Sequence, residues 1–258
     1  MDNLKISVVT VCYNAAATIE ETIQSVLGQT YPNVEYIIID GGSTDGTVDI
    51  IKRYADRLAY WVSEPDNGIY DAMNKGIAVA TGDYINFMNA GDKFYDNDVI
   101  RQVFLTPYPA SCNVIYGKTL MNFRWGTYIV TPTKLKKLEK YMCLCHQSVF
   151  VKVSFHKANL FDTSFQIMAD YQLLHSIYTN TPDSFVYFPG IIANYDAVAG
   201  LSANESNIKL NESKKISHNK TKTFRFIVKS AIPYAAQDIL HRILWTFKRN
   251  VRRVNKIS

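Results

Sequence analysis

The first hundred residues alternate between short β-branched runs and amphipathic stretches, and this alternation restricts the fold more than any other feature of the chain. Ile6–Val11 and Val34–Ile39 are continuous apolar runs of the kind found in strands covered on both faces. Leu58–Val62 is a short third run and Tyr84–Met88 a fourth. Between them the spacing is helical. Thr18 stands as an N-cap before Glu20 and Glu21, and that helix reaches about Leu27, with Gly28 ending it. Thr47–Tyr54 is a second helix, capped by Asp45 or Thr47, and Tyr70–Ala80 a third, with Met73, Ile77 and Ala80 on one face. Alternation of this kind predicts an α/β fold: a mostly parallel sheet with helices on both faces.

After about residue 110 the pattern loosens. Val114–Tyr116, Tyr128–Val130 and Phe185–Phe188 read as strands and Asp170–Tyr178 as a helix, so the sheet is expected to be mixed. Residues 200–222 are rich in Asn, Ser and Lys and read as loop. This divides the chain into a body, 1–205, a linker, 206–222, and a tail, 223–258. The tail has helical periodicity: Ile239, Leu240, Ile243, Leu244, Phe247 and Val251 share a face, and Pro233 breaks the run into two helices.

Hydrophobic residues make up 47% of 258, enough for a sizeable core and against chain-wide disorder. The net charge of +5 conceals an asymmetry. Twelve of the 28 lysines and arginines lie from Lys214 onward, with one acid of the 23, Asp238; the chain from Lys214 onward is therefore +11 and the part before it −6. No apolar run reaches the roughly 20 residues of a membrane span, and the N-terminus lacks the basic region of a signal peptide. A cytoplasmic location is expected. Cys12, Cys112, Cys143 and Cys145 show neither a disulfide framework nor zinc spacing, and are expected as free thiols.

Ligands of open parallel sheets sit beyond the carboxyl ends of the strands. Each predicted strand of the first hundred residues ends there in a polar cluster: Thr10, Cys12, Tyr13 and Asn14; Asp40-Gly-Gly-Ser-Thr-Asp45-Gly; Ser63-Glu64-Pro65-Asp66-Asn67-Gly68; and Asn89-Ala90-Gly91-Asp92. One such cluster is an ordinary turn. Four at one edge predict a binding site. There is no G-x-G-x-x-G after the first strand and no G-x-x-x-x-G-K-[ST], which argues against a dinucleotide and against a Walker-type phosphate site. The rim is acidic, and acids meet a phosphate ligand through a metal or through ribose and base groups. Mg²⁺ or Mn²⁺ held by a carboxylate and substrate phosphates is the expected arrangement, with Asp92 at the tip of the fourth strand as metal ligand.

The stretches ISVVTVCYNAAATIEETIQSVLGQTYPNVEYIIIDGGSTDGT and SEPDNGIYDAMNKGIAVATGDYINFMNAGD resemble the family-2 glycosyltransferases of bacterial surface-polysaccharide biosynthesis. The likeness extends over roughly residues 4–200. It implies the GT-A fold, a nucleotide-sugar donor (a UDP-sugar is favoured), a divalent metal and inversion at the anomeric carbon. Residues 1–100 would form the nucleotide-sugar half and 101–205 the acceptor half. By the same resemblance, Thr10 and Tyr13 would flank the nucleobase. Asp40 would accept a hydrogen bond from it, Ser43 would lie near the ribose, and Asp66 would line the nucleotide and donor-sugar side. Asn89, counted with the donor-nucleotide-binding residues, and Asp92, the metal ligand, fall on the metal-binding Asp-x-Asp segment, Asp170 on the catalytic base, and His146-Gln147 on the acceptor or diphosphate side.

Two departures stand out. The strand end carries one carboxylate in Asn-Ala-Gly-Asp, and Met168-Ala169-Asp170 lacks a glutamate that often precedes the base. A non-catalytic nucleotide- or glycan-binding homologue is the alternative that the first departure keeps open. A sugar nucleotidyltransferase is a further one, but it would need a Gly-rich basic loop after the first strand. The basic tail carries two readings, docking on an anionic membrane surface near a lipid-linked acceptor or packing on the body. No base-stacking module is visible, so nucleic acid is not an expected partner.

Overall fold

The computed structural model describes residues 4–132, 134–197 and 206–217, and the backbone of 251–253. The four expected strands of the N-terminal half are β1 (Ile6–Cys12), β2 (Val34–Asp40), β3 (Tyr60–Ser63) and β4 (Tyr84–Phe87). They are interleaved with helices α1 (Ile19–Leu27), α2 (Thr47–Lys52) and α3 (Ile69–Val79). β1 pairs parallel with β2 on one side and β4 on the other, and β3 extends β2 in parallel. The chain thus reverses its winding at β1, which opens a crevice beyond the carboxyl ends of β1 and β4.

The period-2 alternation of the central strands serves two cores. Val9, Val11, Ile37 and Ile39 face Met73 and Ile77 of α3. Ile6, Val8, Tyr36 and Ile38 face Ile19, Ile23 and Val26 of α1. Gly76 lets α3 lie close on the sheet: a Cβ there would stand 2.5 Å from Val9 Cγ1. Thr18 occupies the position before α1 as expected, but its hydroxyl caps no helix amide. The N-cap position of α2 is Gly46, neither Asp45 nor Thr47, and Asp45 just before it accepts the Thr47 N–H at 3.0 Å.

The second half contains more than the sequence reading found. β5 (Lys93–Phe94), α4 (Val99–Phe104), β6 (Val114–Phe123), β7 (Gly126–Val130), β8 (Val149–Lys152), α5 (Val153–Ala158), α6 (Ala169–Asn180) and β9 (Phe185–Asp196) follow in order. β8 runs antiparallel between β4 and β6, β6 and β7 form a hairpin, and β9 lies parallel to β6. The described sheet is therefore mixed: β1 to β4 are parallel to one another, and in the second half β6 and β9 are parallel while β7 and β8 run antiparallel to their neighbours.

The linker expectation needs a correction. Residues 206–217 form helix α7 (Ser206–Ser217), which carries a buried carboxylate, Glu212, and a buried apolar side chain, Ile216. Two buried positions one turn apart dock a helix that is otherwise mostly Asn, Ser and Lys, which is why composition alone read as loop. The tail expectation lies outside the described residues except at Val251–Arg253. There the backbone is a strand paired antiparallel with β7, not a continuation of a helix. No helix among the described residues is long and apolar enough to cross a membrane.

Candidate active site

The parallel register brings the strand ends level. Cys12 pairs with Asp40, and Asp40 with Ser63, so the polar clusters of three strands begin on one line. Asp40 is fully buried and accepts from every side: Gly42 N at 3.1 Å, Ser43 N at 2.9 Å, Ser63 Oγ at 2.6 Å, the Ser43 hydroxyl and the Cys12 thiol. Burial opposes its ionisation, but the bonds from Ser43 and Ser63 outweigh it and hold the carboxyl below its ordinary value. Two oxygens with five donors leave no room for a sixth partner.

The loops after β1 and β2 are tied in the same way. Asn14, at φ 47, donates its N–H to Ser43 Oγ at 2.7 Å and accepts the Thr44 N–H at 3.0 Å, while the Ala15 and Ala16 amides go to Thr47 Oγ1 and Asp45. A frame of this kind holds the backbone next to Tyr13, whose side chain stands 67% exposed. Gly41 lies between that ring and Asp66: a Cβ there would meet Asp66 Oδ2 at 2.5 Å and Tyr13 Cδ2 at 3.4 Å. Tyr13, Gly41 and Asp66 thus converge on an open, partly aromatic, partly acidic floor.

Thr10 is not part of that floor. It is fully buried on the α1 side of the sheet, its hydroxyl 2.7 Å from Met88 O and 2.9 Å from Tyr36 Oη. One residue of strand turns the side chain to the opposite face, so Thr10 joins β1 to the end of β4 and Tyr13 alone reaches the rim.

The second cluster forms where β4 ends. Ala90 N still bonds Val11 O, and the chain then turns at Gly91, φ 99, held by Thr22 of α1, which accepts the Gly91 N–H and donates to Asp92 O. The Asp92 carboxyl is buried between Gln147 Nε2 at 2.7 Å and the Asp196 N–H at 3.3 Å. Burial pushes it up to about 6 against the lowering effect of Gln147 and His146. Gln147, expected to face the acceptor or diphosphate, is instead 3% exposed and spends its amide on Asp92.

His146 points the other way. Its Nδ1 lies 3.3 Å from Asp170 Oδ2 and its Nε2 3.3 Å from Asn89 Nδ2. With Asn89 donating to Nε2, a neutral ring carries its proton on Nδ1 and donates it to Asp170. Asp170 sits in the first turn of α6, where its Oδ1 accepts the Tyr171 N–H at 2.8 Å and lies 3.2 Å from Tyr70 Oη of α3. Asn89, Asp92, His146, Gln147 and Asp170 are therefore one constellation drawn from β4, the turn before β8 and α6. Asn89 belongs with His146 here, not with the nucleotide floor.

The donor set fits a divalent cation in part. Asn89 Oδ1 is buried without a hydrogen-bond partner, and three residues on lies the Asp92 carboxylate. Hard oxygens of this type suit Mg²⁺ or Mn²⁺. No group of three or more His, Cys, Asp or Glu that could hold a metal occurs among the described residues, so substrate oxygens and water must supply the rest of a coordination shell. Tyr70 and Glu212 carry weight here that no local pattern announced; they act through partners 100 and at least 44 residues away.

The crevice thus lies at the winding reversal of a mixed sheet, with a carboxylate at the end of β4 and another at the start of α6. The family model Glycosyl transferase family 2 matches residues 7–151. A PGL/p-HBAD biosynthesis glycosyltransferase of Mycobacterium tuberculosis is 30% identical over 205 residues, 76% of this chain and 78% of the relative. The chain belongs to glycosyl transferase family 2 and is a glycosyltransferase. Among solved structures, S. aureus TarS 1–349 in complex with UDP-GlcNAc superposes with a TM-score of 0.67 at 17% identity, covering 95% of this chain and 74% of that one. The mannosyltransferase PcManGT of Pyrobaculum calidifontis, in complex with GDP-Man and Mn²⁺, gives 0.60 at 14%, covering 95% and 81%. These two share the GT-A fold with this chain.

Proposed function

We propose that the chain transfers a sugar from a nucleotide-diphosphate donor, a UDP-sugar being favoured, to an acceptor hydroxyl in bacterial surface-glycan biosynthesis, with inversion and with a divalent metal. The observation that carries this reading is the contact of Asp170 with His146 and of Asp92 with Gln147, neighbours in sequence, with Asn89 beside His146 and its Oδ1 unpartnered. Relatives add support: one is named for PGL/p-HBAD biosynthesis, one GT-A neighbour holds UDP-GlcNAc and another holds GDP-Man with Mn²⁺.

In this reading Tyr13 stacks on the base, Asp66 meets the ribose or donor sugar, and the saturated Asp40 holds the loop that presents both. Ser43, whose hydroxyl is bonded to Asp40 and to the Asn14 amide, acts by shaping the loop near the ribose. Asp92 and Asn89 would hold the cation, which supplies charge neutralisation for the departing diphosphate. Asp170 takes the proton of the acceptor hydroxyl as its oxygen bonds to the anomeric carbon and the bond to the diphosphate breaks; the nucleoside diphosphate leaves with both electrons of that bond. Attack from the face opposite the leaving group inverts the centre with one base and no covalent intermediate. His146, donating to Asp170, holds that carboxylate toward the acceptor.

The test pairs binding with turnover. UDP, GDP, dTDP and CDP are screened by thermal shift with and without Mn²⁺ or Mg²⁺; a nucleotide at ~100 times its dissociation constant adds about 2.7 kcal/mol. One nucleotide raising the midpoint, and only with metal, is the expected result. Asp170→Asn should then keep that shift and lose about 10²–10⁴ in turnover. Full turnover by Asp170→Asn would remove Asp170 from the chemistry, and the absence of a shift with any nucleotide would remove the donor site.

A further inference from the structure

We infer that Glu212 is a positioning residue for the Asp170 helix, a role that rests on the reading of Asp170 given above. Glu212 stands 42 residues beyond Asp170 in sequence and is 6% exposed. Its carboxylate accepts three consecutive backbone amides: Gln166 N at 2.7 Å on one oxygen, Ile167 N and Met168 N at 3.0 Å each on the other. Those amides immediately precede α6, and Met168 is its N-cap residue. Met168 has no side-chain oxygen, and no side chain caps the helix from that position. The carboxylate is therefore supplied from outside, where unpaired N–H groups and the helix dipole both favour negative charge.

The consequence for Asp170 follows from distance along the chain. Asp170 lies in the first turn of α6, two residues from the amides that Glu212 satisfies, and it already accepts the Tyr171 N–H. Without Glu212 the open amides would present the nearest anion, Asp170 itself, with new partners. Its carboxylate would then turn back onto the backbone and away from His146 Nδ1. By filling that anion site, Glu212 leaves the Asp170 Oδ2 edge facing His146 and an acceptor. The helix that carries Glu212 is itself anchored beside this segment. Ile216, one turn after Glu212, enters the same apolar cluster as Met168, Ala169 and Leu173. The 165–168 segment is also held by Tyr70, whose hydroxyl donates to Ile167 O at 2.6 Å. The start of α6 is thus clamped from α3 on one side and from α7 on the other.

Glu212→Ala and Glu212→Gln are compared with wild type for donor KM, kcat and exchange of the 166–168 amides. A displaced reacting group costs about 10²-fold, so Glu212→Ala is expected to lower kcat by that order, leave donor KM within twofold and expose the three amides to exchange. Glu212→Gln keeps one acceptor oxygen and the side-chain shape, and should fall between the two; it carries the test if Glu212→Ala does not fold. Variants that melt earlier yet keep the wild-type kcat would overturn the inference and reduce Glu212 to a structural anchor. A raised donor KM at unchanged kcat would overturn it as well. Wild-type protein that transfers no sugar would instead overturn the role of Asp170 and this inference with it, a result distinct from active wild type alongside unimpaired variants.

Discussion

His156 offers a quantitative check on the packing beneath the site. It is buried in α5, edge-on to Phe87 and Phe161 with ring centroids 5.7 and 4.9 Å away, and its Nδ1 lies 3.1 Å from Asn159 O. With Phe87 and Phe161 it lines a small cavity of about 30 Å³ that also touches His146 and Asp170. Burial pushes the imidazole down from 6.5 to about 4, and the bond to the Asn159 carbonyl opposes this in part. The folded ring therefore stays neutral while the unfolded one takes up a proton between those two values. Stability is full above pH 6.5 and falls as the pH falls toward 4. At about 1.4 kcal/mol per unit the complete loss is about 3 kcal/mol, and some 2 kcal/mol of it is gone by pH 5. For a chain of this size that lowers the melting midpoint by about 4–8 °C. His156→Gln retains an N–H for Asn159 O and does not titrate. The measurement is the difference between wild type and His156→Gln in midpoint change from pH 7.5 to pH 5, which cancels every other titrating group, including Asp92 with its opposite sign. Wild type should lose more by the stated amount. Parallel pH profiles would refute the buried, neutral His156 and the apolar packing assigned to it.

Two further predictions concern the ends of the sheet. Gly41→Val places its Cβ against the flexible tip of Asp66 and the Tyr13 ring, so stability should change by no more than about 0.5 kcal/mol while nucleotide affinity falls about tenfold or more; equal affinity by titration would separate Gly41 from the donor floor. At the opposite end, Glu35 accepts from Ser7 Oγ and Thr81 N and pairs with Lys5 Nζ at 2.7 Å. Burial raises its carboxyl pKa, but those partners outweigh this and bring it down to about 2, so its contribution is present above about pH 4.5 and lost as the pH falls toward 2. Glu35→Gln should cost about 2–3 kcal/mol at pH 7 and flatten the acid limb of denaturant unfolding. An unchanged acid limb would refute the assignment.

Much of the first hundred residues was legible because its signals are local. A β-branched run such as Ile6–Val11, a turn such as Asp40-Gly-Gly-Ser and an N-terminal acid such as Asp45 each act within a few residues, and the sheet order follows once the alternation is recognised. The family resemblance, borne out by the family model and the relatives, drew on the same stretches. The expectation for 206–217 failed for the complementary reason. A polar helix docked by Glu212 and Ile216 has no pattern of its own, because the partners that order it lie in 165–174.

The site divides along the same line. That four polar clusters should lie at one sheet edge, with Asp92 at the tip of β4, was written in the sequence, since strand direction is set by neighbours along the chain; Asp170 entered through the family resemblance. The sequence did not say which face Thr10 takes, whether Asp40 has an oxygen to spare, which way Gln147 turns, or what holds Asp170. Each of these depends on atoms brought within about 3 Å from 20 to 100 residues away, and hydrogen-bond geometry at that range is decided by tertiary packing alone.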